Sequence, residues 1–178
     1  MHPVIQVLIA ALVVVAGVYD ILYRRIPNWL VLPCWLAGFA VNALLASPWT
    51  EGLKTAGLGF GVAMLIYMPL YLLRGMGAGD VKLMAALGAF AGPVAWLFIF
   101  VFSGIVGGVV ALIMMVVHRR FVKTLRNVCL ILWEMMHLRP PYSRDELDVS
   151  SPKSLRLPYG AVVALGCLAF LGVRPLIG

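Results

Sequence analysis

Residues 81–117 read VKLMAALGAFAGPVAWLFIFVFSGIVGGVVALIMMVV, an apolar run with one charged side chain, Lys82. A single helix over these 37 residues would be about 55 Å long, nearly twice the roughly 30 Å core of a bilayer. Gly92-Pro93 is a natural break, because proline has no N–H for the helix ladder and its ring crowds the preceding turn. The run therefore reads as two helices, about 80–91 and 94–117. The first is short for a crossing and calls for a locally thinned bilayer. A membrane β-barrel would instead alternate apolar and polar residues in strands of about ten. Long continuous runs are the helical way of satisfying every backbone group in lipid.

The same pattern fills the chain outward from this run. Of 178 residues, 63% are hydrophobic and 12% charged, and the mean hydropathy is +1.01. A soluble domain is about half apolar and about a quarter charged. The composition predicts an all-α, polytopic integral membrane protein folded as one membrane-embedded domain over residues 1–178. Breakers at Pro27-Asn28, at 47–52 and at 74–79 divide the remaining sequence. Further helices then fall over about 3–22, 29–46, 53–73 and 159–176, giving six transmembrane helices. The first run has no basic n-region and no small-residue cleavage site, so it reads as a retained helix rather than a signal peptide. The polar connection 118–157 opens with Phe121-Val122-x-x-Leu125-x-x-Val128-x-x-x-Leu132, the spacing of an amphipathic helix lying on the membrane surface.

The formal charge is +7. Most of the basic residues flank apolar runs, so they record membrane orientation and no nucleic-acid partner is expected. Six helices with the N-terminus outside place twelve of the fourteen Lys and Arg residues in the cytoplasm, leaving Lys54 and Arg174 on the other side. Membrane lipids are the partner that this arrangement expects.

Only two acids lie within the apolar runs, Asp20 and Asp80; Glu51, Glu134, Asp145, Glu146 and Asp148 fall in connections or the amphipathic stretch. A carboxylate at the edge of a bilayer core costs several kcal/mol unless it is used. The topology, derived from Lys and Arg alone, puts both at the cytoplasmic face. If they meet, like charges a few ångströms apart cannot both ionise easily, and one carboxyl keeps its proton. The ionised partner can then take a proton from water while the protonated one polarises a carbonyl. Such a pair titrates as a unit, so neither acid is given a fixed role. Gly77 and Gly79, just before Asp80, suit a backbone that turns sharply and lets a substrate chain come close.

Other chemistries find less support. The histidines (His2, His118, His137) are scattered, and Cys34, Cys129 and Cys167 form no C-x-x-C pair. No metal site, disulfide framework or cofactor is expected. Ser103 has no accompanying histidine.

The residues around the two acids carry a resemblance. Gly77-Ala78-Gly79-Asp80 matches the G-x-G-D motif of intramembrane aspartyl proteases. Asp20 followed by Arg25-Ile26-Pro27-Asn28, then Gly79-Asp80-Val81-Lys82-Leu83, resembles the type IV prepilin peptidase family. Leu157-Pro158-Tyr159-Gly160-Ala161 is similar to that family's Pro-x-Gly element near the last helix. The resemblance implies a cytoplasm-facing aspartic endopeptidase of the bacterial or archaeal cytoplasmic membrane, removing short basic leaders from prepilins or pseudopilins. In size the chain is similar to the dedicated enzymes of tight-adherence (Flp) pili and to the archaeal preflagellin enzymes. Bifunctional members carry an N-terminal cytoplasmic segment, often with four zinc-binding cysteines. This chain starts in a helix and has no cysteine pairs, so N-methyltransferase activity is not expected.

Several residues keep two readings. Asp20 could anchor a helix end with Arg24, and Asp80 could cap its helix. Lys82 could steer substrate or snorkel to the interface. Asn28 could bond within the site or cap a helix. Pro158 and Gly160 could shape a substrate groove or start the last helix. Gly104-x-x-Gly107-Gly108 allows close helix contact, within the chain or in a homo-oligomer. The competing classes are a small proton-coupled transporter, which more often holds its acids near the midplane of broken helices, and a noncatalytic pilus-assembly scaffold.

Overall fold

A computed structural model describes residues 1–72, 76–117 and 158–177. Among the described residues the regular structure is helical: α1 Pro3–Tyr23, α2 Asn28–Leu45, α3 Trp49–Leu72, α4 Ala78–Val117 and α5 Tyr159–Ile177. The amphipathic helix expected after residue 117, with the rest of 118–157, lies outside the described residues.

Two helix starts differ from the expectation. α3 begins at Trp49, not near residue 53, because Pro48 opens it: the Glu51 N–H donates to the Pro48 carbonyl at 3.1 Å. Glu51 then sits in the first turn, where a negative charge complements the helix dipole. α4 begins at Ala78, which makes Asp80 its third residue rather than its first.

The break at Gly92-Pro93 is present. Gly92 takes φ 74° and ψ 172° inside α4, a left-handed φ that glycine adopts without a Cβ penalty. The chain folds back there. In a straight helix, residues 84 and 96 would be about 18 Å apart, yet the Trp96 indole N–H donates to the Met84 carbonyl at 2.9 Å. Pro93 cannot donate to the Ala89 carbonyl one turn earlier. Asn42 on α2 takes that place: its Nδ2 donates to the carbonyls of Ala89 at 2.9 Å and Phe90 at 3.1 Å.

By length and composition, four helical segments can cross a membrane: Pro3–Tyr23, Asn28–Leu45, Trp49–Leu72 and Ala78–Met114. The apolar helix Tyr159–Arg174 is shorter. The helices thus show an all-α membrane protein, and six separate spans is a finer reading than these lengths carry. Large apolar side chains such as Leu36, Leu44, Leu65 and Val116 face outward, as a lipid solvent permits.

α4 packs most extensively on α3 and then on α5, whereas α1 packs mainly on α5 and only slightly on α4. α1 and α5 run antiparallel: Asp20 meets Gly160 at one end, and Arg174 donates to the Met1 carbonyl at the other. The buried face of α1 is the stripe Ile5, Ile9, Leu12, Val13, Ala16, Gly17 and Asp20. Helical spacing therefore carries Asp20 inward on the same face as the core residues.

Candidate active site

Asp20 lies in the last turn of α1. Arg24 closes that turn in a left-handed conformation, φ 54°, with its N–H on the Asp20 carbonyl at 2.8 Å. The Asp20 side chain is buried, and its Oδ2 accepts the backbone N–H of Gly160 at 2.8 Å. Gly160 is the second residue of α5. Its N–H is one of the first four in a helix, which have no partner within the helix itself. A carboxylate from α1 thus satisfies the start of α5. The fit is tight: a Cβ at residue 160 would lie 3.0 Å from Asp20 Cβ and 3.2 Å from its Cγ, so Asp20 would have to give way. Pro158 starts the same helix, its carbonyl accepting from the N–H groups of Ala161 and Val162 at 3.1 Å each.

Asp80 reaches its place from the other chain direction. As the third residue of α4, its carboxylate turns back to accept the Gly77 backbone N–H, while its own N–H donates to the Gly77 carbonyl at 3.1 Å. This is only the backward half of a capping box, because Gly77 has no side chain and its backbone carbonyl takes the Asp80 N–H instead. The carboxylates of Asp20 and Asp80 are close enough for their charges to interact. The two glycines of the G-x-G-D run clear different neighbours. A Cβ at Gly77 would lie 3.1 Å from Asp80 Oδ2, and one at Gly79 would lie 3.1 Å from Ile26 Cβ.

Two tyrosines complete the surroundings. The hydroxyls of Tyr67 on α3 and Tyr159 on α5 are hydrogen-bonded at 2.8 Å, and both side chains lie near Asp80. The Tyr67 ring is fully buried and packs edge-on against Trp96 at 6.0 Å and Phe100 at 5.9 Å. Neither is a candidate site residue by sequence, Tyr159 standing there only as the middle of the Pro158-Tyr159-Gly160 element. One signal was available for Tyr67, a hydroxyl within the apolar run of α3, because buried tyrosines need a partner for their O–H. For Tyr159 it was adjacency to Pro158 and Gly160.

Of the candidate residues, the structure gathers Asp20, Asp80, Gly77 and Gly160. Lys82 and Asn28 come together with each other: Lys82 Nζ donates to Asn28 Oδ1 at 2.9 Å in an exposed position. Residues two apart on a helix do not share a face, so Lys82 points elsewhere than Asp80. Its carbonyl meanwhile accepts the Trp35 indole N–H at 2.9 Å, which ties α2 to the start of α4.

Apolar helices that bring two acids together at one end of a bundle define a membrane-embedded helical protein with a carboxylate pair. Within it, residues 7–112 match the type IV leader peptidase family, more than half of the chain and including both acids. The chain belongs to that family, whose activity makes it a peptidase of prepilin-type substrates. Neither the curated proteins nor the solved structures contain a match to it. α5, with Tyr159 and Gly160, falls beyond the matched span, so its contact with Asp20 comes from the fold alone.

Proposed function

We propose that this leader peptidase is an aspartic endopeptidase with Asp20 and Asp80 as its catalytic dyad. The observation that carries the reading is the placement of two acids from separate helices at one end of the bundle, near enough for their charges to interact. Each is anchored by a backbone N–H, Gly160 for Asp20 and Gly77 for Asp80. The pair shares one proton. Its ionised member takes a proton from water, and the resulting hydroxide attacks the scissile carbonyl, which the protonated member polarises. Return of a proton to the departing amine completes hydrolysis without metal or covalent intermediate. Gly77, Gly79, Pro158 and Gly160 shape the site, and Lys82 with Asn28 fastens α2 beside it.

The N-terminus lies outside, and the two arms of α4 cross separately, making six crossings in one membrane domain. The dyad then faces the cytoplasm, on the side that the Lys and Arg distribution assigns to it. A site at the end of the bundle suits a cut between a short basic leader and the hydrophobic helix of a prepilin or pseudopilin, with the leader in water and the helix in lipid. Gly104 and Gly108 have open space before them, a face left for lipid or for a second copy. The new N-terminus leaves unmethylated.

The test is purified enzyme in lipid vesicles with candidate prepilins from the same genome, the product being read by mass. Wild type should release the leader and add no methyl group. Asp20→Asn and Asp80→Asn should insert normally and release none. Substantial cleavage by either variant would sink the dyad assignment.

A further inference from the structure

We propose that Tyr67 is a positioning residue for the dyad, acting through the Tyr159 hydroxyl on the first turn of α5 and so on the Gly160 N–H that orients Asp20. This inference rests on the dyad reading above and assigns a role to a residue outside it.

The two acids stand on α1 and α4, which have little direct contact. Their mutual placement must therefore pass through other elements. One connected path of specific contacts does so. Met84 lies one helical turn beyond Asp80, and its carbonyl holds the Trp96 indole N–H at 2.9 Å. Trp96 and Phe100, stacked on each other at 5.6 Å, both pack edge-on against the Tyr67 ring. The Tyr67 hydroxyl, held by this packing, bonds the Tyr159 hydroxyl at 2.8 Å. Tyr159 adjoins Gly160, whose N–H bonds Asp20. The path runs from the arm that bears Asp80 to the carboxylate of Asp20.

The hydroxyl is the one polar link between α3 and the start of α5 in this path. Tyr67 is 1% exposed, so its O–H has no water to turn to, and the bond to Tyr159 is strongly directional. Tyr159 is only half-buried. Without its partner it can turn outward and take the first turn of α5 with it. Asp20 would stay in the chain but lose its aim, and a misplacement of about 1 Å can cost a hundredfold in rate.

Tyr67→Phe removes the oxygen and keeps the ring packing. In steady-state cleavage of a prepilin by purified full-length enzyme, kcat should fall about tenfold or more while KM stays within about twofold. Thermal unfolding, followed in parallel, should show the variant folded at the assay temperature. Tyr71→Phe, on the same helix with an exposed side chain, is the control and should match wild type. If Tyr67 acts through Gly160, then Tyr67→Phe combined with Gly160→Ala should lose less than the product of the two single losses. Wild-type kcat in Tyr67→Phe overturns the proposal, as does full multiplicativity in the double variant or a kcat loss explained by unfolded protein. Cleavage by Asp20→Asn or Asp80→Asn overturns the dyad reading instead, whatever Tyr67→Phe does.

Discussion

The backbone N–H of Gly160 donates to Oδ2 of Asp20 at 2.8 Å, joining the last turn of α1 to the first turn of α5 across 140 residues of chain. One oxygen of the carboxylate is thereby fixed. The bond also uses a backbone donor that the helix itself cannot satisfy. The candidate acid and the start of the last helix therefore hold each other in place.

Gly160→Ala should consequently damage cleavage more than folding. The added Cβ would press on Asp20 Cβ and Cγ, at 3.0 and 3.2 Å, and push the carboxylate off its donor. The expected outcome is a kcat loss of about tenfold, with a stability cost of about 1–3 kcal/mol from overpacking. Gly172 on the same helix has open space before it, and Gly172→Ala should leave cleavage unchanged while gaining up to about 1 kcal/mol from helix propensity. Cleavage kinetics and thermal unfolding of the two variants, compared directly, check both halves.

Lys82 lies close to Asp80 in sequence, yet its amine is engaged with Asn28 in an exposed position. Lys82→Met and Asn28→Ala should each change kcat and KM by less than about threefold, in the range of surface substitutions away from a site. A loss approaching that of Asp80→Asn would place Lys82 in the chemistry.

Asn42 should matter for stability. It supplies the donor that Pro93 withholds from the Ala89 carbonyl, and it also serves the Phe90 carbonyl. Asn42→Leu keeps the volume and leaves these carbonyls without that partner, at a cost of about 1–3 kcal/mol per buried group. A lowered unfolding midpoint in detergent or vesicles is the expected reading, and an unchanged midpoint would mean the fold-back at Gly92 stands without it.

Ser103 is the converse case. Its Oγ is buried against α5 and makes no hydrogen bond among the described residues. Removing an unpartnered buried hydroxyl should be neutral or stabilising by up to about 1 kcal/mol. Ser103→Ala should therefore unfold at the same temperature as wild type or above it, and a clear decrease would reveal a partner for the hydroxyl.

Much of the architecture was readable along the chain. The apolar runs, the proline and glycine breaks and the fold-back at Gly92-Pro93 all follow from transfer free energy and backbone chemistry, which act on consecutive residues. The two acids stood out for the same reason, because a carboxylate in an apolar run is costly wherever it sits. The reading failed on helix starts, where Pro48 opened α3 earlier than expected and Gly77 moved Asp80 to the third position of α4.

The choice of partners lay beyond that local reading. α1 shows the reason: its inward stripe of Ile5, Ile9, Leu12, Val13 and Ala16 is flanked by Val7, Val14 and Val18, which face outward. In lipid both faces are apolar, so no amphipathic contrast marks the inward side. Helix register then decides which groups meet, through contacts spanning 47 residues for Asn42 with Ala89, 92 for Tyr67 with Tyr159 and 140 for Asp20 with Gly160. Composition and spacing were enough to single out Asp20 and Asp80. Packing alone brought their carboxylates near enough for their charges to interact, set the Gly160 N–H on Asp20, and turned Lys82 away.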